Sequence, residues 1–184
     1  MWYIWFMKKT AILLSLFLVA GAVFGQEYTF NGLPWGSSRE QVIEKMGNPA
    51  TRYGDMLSYP VSLIGYTARL DIQFENYGMI YASYNVGWYR DMNVSQLSNA
   101  FLALSNQIES KYGPYNEIIA AYNLNGIQEG ERFTVWHFNN FHVIIASIDD
   151  NNTFHISYFS NIAWNNFEEI IKAGRFLRIP NNNL

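Results

Sequence analysis

Three histidines, His137, His142 and His155, are the side chains best suited by type to titrate near neutral pH or to ligate a metal. All three fall in segments that alternate like strands. His137 is opposite in phase to Trp136, and His155 to Phe154 and Ile156, which directs His137 and His155 to the outer face of a sheet. If their strands were neighbours, the two rings could share a metal ion; otherwise they read as solvated strand residues. Other chemistry finds no pattern. There is no cysteine, so thiol catalysis is closed, and the G-x-S-x-G elbow of serine hydrolases is missing. Gly36-Ser37-Ser38 reads as a helix cap, and no glycine-rich phosphate loop accompanies it. Asp149-Asp150-Asn151-Asn152 lacks the alternating oxygens, central glycine and distal glutamate of a calcium loop, and reads as a hairpin turn. The carboxylates of Glu168 and Glu169 are adjacent, while Asp71 and Glu75 lie about 13 Å apart along a strand; neither spacing suits an acid/base pair. The expectation is a protein without catalytic residues, metal site or cofactor.

Recognition chemistry is better represented. Arg69, Asp71, Gln73 and Glu75 alternate with apolar residues and share one wet face. Tyr77, Tyr81, Tyr84, Trp88 and Tyr89 crowd the segment that follows, and such residues are favoured in protein interfaces. Tyr81 is the first choice among them because its phase opposes Ile80 and Ala82. The candidate partner-contacting residues are therefore Arg69, Asp71, Gln73, Tyr81, His137 and His155.

The elements that would position them begin after an export signal. Lys8 and Lys9 precede an uncharged run from Thr10 to Phe24, which ends at Gly25, Gln26 and Glu27. This is the layout of a signal peptide, shorter than the roughly 20 apolar residues of a membrane span. Cleavage is expected after Gly25, and Met7 is the expected start. Removing residues 1–25 takes away two lysines and no acids, leaving 10 basic against 15 acidic groups. That balance argues against nucleic acid, whose binding relies on lysine and arginine displacing counterions. A soluble periplasmic or secreted protein, with no lipid-acceptor cysteine and no stable span, is expected.

The remainder reads as two α+β modules, residues 26–90 and 91–184. In the first, Ser37 with Glu40 forms a capping box, Val42 and Met46 share a helix face, and Gly47 and Pro49 stop the helix. Strand patterns follow over MLSYPVSL, TARLDIQFE and, beyond a turn at Asn76-Tyr77-Gly78, Ile80 to Val86. The second module opens with a helix capped by Asn93 and Gln96, carries Leu97, Phe101, Leu104, Ile108 and Tyr112 at helical spacing, and ends at Gly113 and Pro114. Strands are expected near 115–123, 131–138, 142–148 and 153–159, with turns at Asn139-Asn140 and Asp149 to Asn152. A last helix from about Ile162 to Ala173 precedes a frayed tail. Aligning Gly47 with Gly113 sets Val42 against Ile108 and Met46 against Tyr112, so the helix ends look like copies.

Gly36, Val42, Gly47 and Pro49, followed by a strand with Tyr59, resemble the BamE (SmpA/OmlA) family of outer-membrane assembly proteins and the related β-lactamase inhibitor proteins. The resemblance implies helices packed on one face of an antiparallel meander sheet, with two such modules in tandem, and binding of a protein partner in the cell envelope without enzymatic activity. The expected function is that of an exported, non-catalytic binding or envelope-assembly module; the alternative is a periplasmic carrier of a small apolar ligand.

Overall fold

The computed structural model describes residues 29–181, apart from 77, 90, 123–127, 140, 147–152 and 175. The export signal, the choice between Met1 and Met7, and the turn at Asp149 to Asn152 lie outside the described residues, as do Tyr77 and Asn140 within their turns. Contacts divide the chain after Pro34. In the first unit β1 (Thr29–Phe30) pairs with β2 (Leu33–Pro34). Asn31 and Gly32, with φ of 53° and 75°, form the two-residue turn that matches strand twist.

The second unit begins with helix α1 (Arg39–Met46) and a meander of β3 (Thr51–Tyr53), β4 (Met56–Leu63), β5 (Tyr66–Glu75) and β6 (Gly78–Val86). Helix α2 (Val94–Tyr112) then leads to a second meander, β7 (Glu117–Tyr122), β8 (Gln128–His137), β9 (Phe141–Ala146) and β10 (Phe154–Ser160). Helix α3 (Asn161–Ala173) and strand β11 (Phe176–Pro180) complete the chain. Both helices that open a meander stop at a glycine of similar geometry, Gly47 at φ 86° and Gly113 at φ 82°. Asn93 and Gln96 form the expected capping box, whereas the first helix is capped one residue later than expected, by Ser38 with Gln41.

The two meanders do not form modules in tandem. Their last strands, β6 and β10, pair antiparallel and fuse everything into one sheet of order β11-β7-β8-β9-β10-β6-β5-β4-β3. Nor do the helices share one face. Phe101 of α2 meets Phe154 edge-on at 5.3 Å, and Leu104 and Ile108 lie beside Tyr84 and Ile156. On β10 the opposite face carries Phe159, which packs on Trp164 and Phe167 of α3. Because side chains alternate along a strand, α2 and α3 cover opposite sides of the sheet. The expectation of a tandem helix-on-one-face arrangement is thus corrected to an α+β fold with one nine-stranded antiparallel sheet. The physical reason lies in β10, where Phe154, Ile156 and Phe159 are all buried, so each face needs its own cover.

Two further corrections concern phase and the tail. Phe74 pairs with Met79 and Gln73 with Tyr81, so Ile80 is the extra residue of a bulge. Ile80 consequently joins the core under α3 rather than the face of Ala82 and Tyr84. Ile179 and Pro180, expected to fray with the asparagines that follow, belong to β11, which runs along β7. At the start of β6, Gly78 has φ 89°, and an added Cβ would lie 2.1 Å from the Gly36 carbonyl oxygen. Gly36 and Ser37 exchange backbone hydrogen bonds with Met79 there, so the close approach admits no side chain.

The turn from β4 to β5 places Ile64 at φ 45° ahead of Gly65 at φ 87°. A β-branched residue is strained in that region, where asparagine is at ease. Ile64→Asn is expected to raise stability by about 1 kcal/mol in urea denaturation; a loss of stability would contradict the assigned turn.

Candidate functional site

Strands β4, β5, β6 and β10 carry polar residues on the α3 side of the sheet, where their cross-strand register is Ser58-Asp71-Ser83-Ser157 in one row and Arg69-Asn85-His155 in the next. Asp71, expected to face water with Arg69, Gln73 and Glu75, is instead 7% exposed. Its burial is compensated by four donors. Oδ1 accepts from the Ser58 hydroxyl at 2.6 Å; Oδ2 accepts from Arg69 Nε at 2.9 Å and Nη2 at 2.6 Å, and from Asn85 Nδ2 at 2.9 Å. The four acceptor positions of the carboxylate are thereby occupied. The Arg69 guanidinium lies 3.3 Å above the Trp88 ring, which adds a cation–π contact.

The amide of Asn85 transmits this order to the next strand. Its NH2 group is committed to Asp71, so Oδ1 faces His155 and must accept from His155 Nδ1, 2.5 Å away. The neutral ring therefore holds its proton on Nδ1, leaving Nε2 as a bare acceptor. Next along β10, Ser157 Oγ is 2.9 Å from Ser83 Oγ and 3.0 Å from the Tyr81 hydroxyl. Tyr81, Asn85, His155 and Ser157 line a cleft of about 390 Å³ together with Phe133, Ile144, Phe159 and Phe167.

A second titratable cluster sits further along the same face, beneath α3. His137 Nε2 donates to Glu117 Oε1 at 2.7 Å, and the Nδ1 atoms of His137 and His142 are 2.9 Å apart. Trp164 stacks on His142 at 4.3 Å and 20°. Arg178 of β11 contacts Glu117 at 3.5 Å and Glu168 of α3 at 2.5 Å, tying helix and edge strand to the sheet. The bond from His137 holds the Glu117 carboxyl below its usual range. Burial, with the neighbouring His137 adding to it, lowers the His142 pKa to about 4.

The expected partner-contacting residues thus separate into two groups. Arg69, Asp71, Gln73, Tyr81 and His155 come together on the β5–β6–β10 face. His137 does not join them, because β9 stands between its strand and β10. The condition for His137 to meet His155, neighbouring strands, is not met; His137 contacts His142 instead, and that part of the face lies against Trp164 of α3. Sequence reasoning missed Ser58, Asn85, Ser157 and Glu117, and named His142 without placing it among the partner-contacting residues. Among the described residues no group of three or more metal-ligating side chains converges, and no helix is long and apolar enough to cross a membrane.

No family model matches the chain, and no curated protein matches it. Among solved structures it is similar to a DUF4309 family protein (YjgB) from Bacillus subtilis subsp. subtilis str. 168, with 16% identity over 71% of this chain and 83% of that one and a TM-score of 0.46. A likeness at that level says nothing of activity or partner.

Removing Asp71 leaves buried donors without an acceptor, so Asp71→Ala is expected to cost about 3 kcal/mol in urea denaturation; a cost below about 1 kcal/mol would contradict the network. The depressed His142 pKa favours the neutral ring in the folded state. Its contribution to stability is full above the unfolded value of 6.5 and is lost as pH falls from there to about 4. The loss is expected to be about 2 kcal/mol, discounted for partial solvent access. His142→Phe should flatten that stretch of the stability–pH curve, and an unchanged slope would remove His142 as its source.

Proposed function

We propose that the protein is an exported, non-catalytic binding or envelope-assembly module that acts through protein–protein contacts, with the partly exposed Arg69, Gln73, Tyr81 and His155 above the buried polar row as its recognising surface. The observation that carries this reading is the Asp71 network. It commits the ionisable groups to one another, and so fixes Arg69, Asn85 and His155 in one arrangement before any partner arrives. Preorganisation of this kind lowers the cost of association. Trp88 and Tyr89, 46% and 45% exposed, lie at the margin of the network and supply the aromatic area typical of interface anchors. The n-region and apolar run of residues 8–24 support export, and the acidic balance disfavours nucleic acid.

The carrier reading has weaker support. The space between α2 and the sheet, bounded by Leu63, Tyr84, Leu104, Ile108, Ile156 and Tyr158, is about 170 Å³. Sites for small molecules begin near 300 Å³, and the larger cleft beside α3, about 390 Å³, is lined in part by polar residues.

A photo-crosslinking amino acid placed at Gln73 or Trp88 is expected to capture one saturable protein adduct in the envelope fraction. The same group at Leu102, exposed on α2, should not. No adduct from the sheet positions, or the same adducts from all three, would refute the proposal.

A further inference from the structure

The cleft beside α3 has more specific chemistry than a general contact surface. Three hydroxyls, those of Ser83, Ser157 and Tyr81, form a chain joined by two hydrogen bonds, so one of the three protons is left over. If Tyr81 donated to Ser157, the surplus proton would sit on Ser83 or on Ser157 itself, 2% and 3% exposed. An unpaired buried donor is costly. The opposite direction, Ser83 to Ser157 to Tyr81, places the surplus proton on the hydroxyl of Tyr81, a partly exposed residue that lines the cleft. Tyr81 therefore offers an outward donor.

His155 offers the complement, because its Nδ1 proton is used on Asn85 and its Nε2 has no hydrogen-bond partner among the described residues. His155 and Ser157 are two apart on one strand face, about 7 Å along the chain, and Ser157 holds the Tyr81 hydroxyl at 3.0 Å. One outward donor and one outward acceptor are complementary to a group that both accepts and donates at one atom, a hydroxyl. The apolar lining of the same cleft, Phe133, Ile144, Phe159 and Phe167, is complementary to a flat apolar ring.

We propose that this cleft is a subsite for a phenol ring, supplied by a tyrosine side chain of the protein partner. The ring packs against Phe159 and Phe167 while its hydroxyl donates to His155 Nε2 and accepts from the Tyr81 hydroxyl. The tyrosine source rests on the binding-module reading above; the phenol chemistry of the cleft stands independently of it.

The test uses p-cresol, 4-methylanisole and toluene as probes, with binding to the folded protein followed by amide and imidazole NMR shifts. A ligand of this size binds at about millimolar strength. The expected result is that p-cresol shifts His155, Ser157 and Phe159, and binds at least about tenfold more tightly than 4-methylanisole, which lacks the donor proton. Tyr81→Phe, which keeps the ring and the fold, should weaken p-cresol severalfold and leave toluene unchanged. His155→Phe should act in the same direction. Equal binding of p-cresol and 4-methylanisole, shifts that map elsewhere, or no shift up to the solubility limit would overturn the proposal. If p-cresol behaves as expected while the crosslinked partner binds undiminished after its tyrosines are changed to phenylalanine, the subsite takes a free phenol instead and the tyrosine assignment fails. Failure of the probes alongside a specific crosslinked partner would sink the subsite and leave the binding-module reading standing.

Discussion

The antiparallel pairing of β6 with β10 is the contact on which the remaining structure depends, because each meander ends there and neither has another link to its counterpart within the sheet. A separate five-stranded and a separate four-stranded sheet would each expose a long inner edge, and a row of unpaired backbone groups is an invitation to unwanted pairing. Joining the edges removes that exposure and moves β6 and β10 to the interior, where both faces must be filled. Phe154 and Ile156 are accordingly buried toward α2, while Phe159 is buried toward α3.

The same pairing builds the polar wall. Asn85 faces His155 and Ser83 faces Ser157 only because the two strands meet in this register. A shift of one residue would send every one of these side chains to the other side of the sheet. The bulge at Ile80 has a local share in this. It lets Ile80 and Tyr81 both serve the α3 side, one in the core and the other at the cleft. The α3 face is thereby divided, with Ile80, Ile119, Phe133, Val135, Ile144 and Phe159 packed under the helix and the hydrogen-bonded residues of β4–β6 beside it.

Local features were legible from sequence wherever one element decided them. The boundaries of α2, the cap at Asn93, the stops at Gly47 and Gly113 and the alternation of β5 depend on neighbours in the chain, and periodicity reports them. The Asn31-Gly32 hairpin was readable by the same rule and was overlooked. What alternation could not provide was the partner of each strand end. The polar residues of β5 read as a wet face because nothing in TARLDIQFE shows that Asp71 will be closed over by Ser58, Arg69 and Asn85. Likewise His142 gained its partner His137 through the β8–β9 hairpin register, and its burial through α3, which is distant in sequence from β8. The candidate residues Arg69, Asp71, Gln73, Tyr81 and His155 were found by phase alone; their assembly into one surface required the β6–β10 contact.

The central claim is that Asp71, Asn85 and His155 form a fixed relay across three strands. Long-range proton–nitrogen correlation of the histidine rings at neutral pH tests it most directly, since the relay dictates which nitrogen of His155 carries the proton. The expected spectrum shows His155 as the Nδ1–H tautomer with an unprotonated Nε2. A ring protonated on Nε2, or one averaging between the two forms, would contradict the relay and the strand register that creates it.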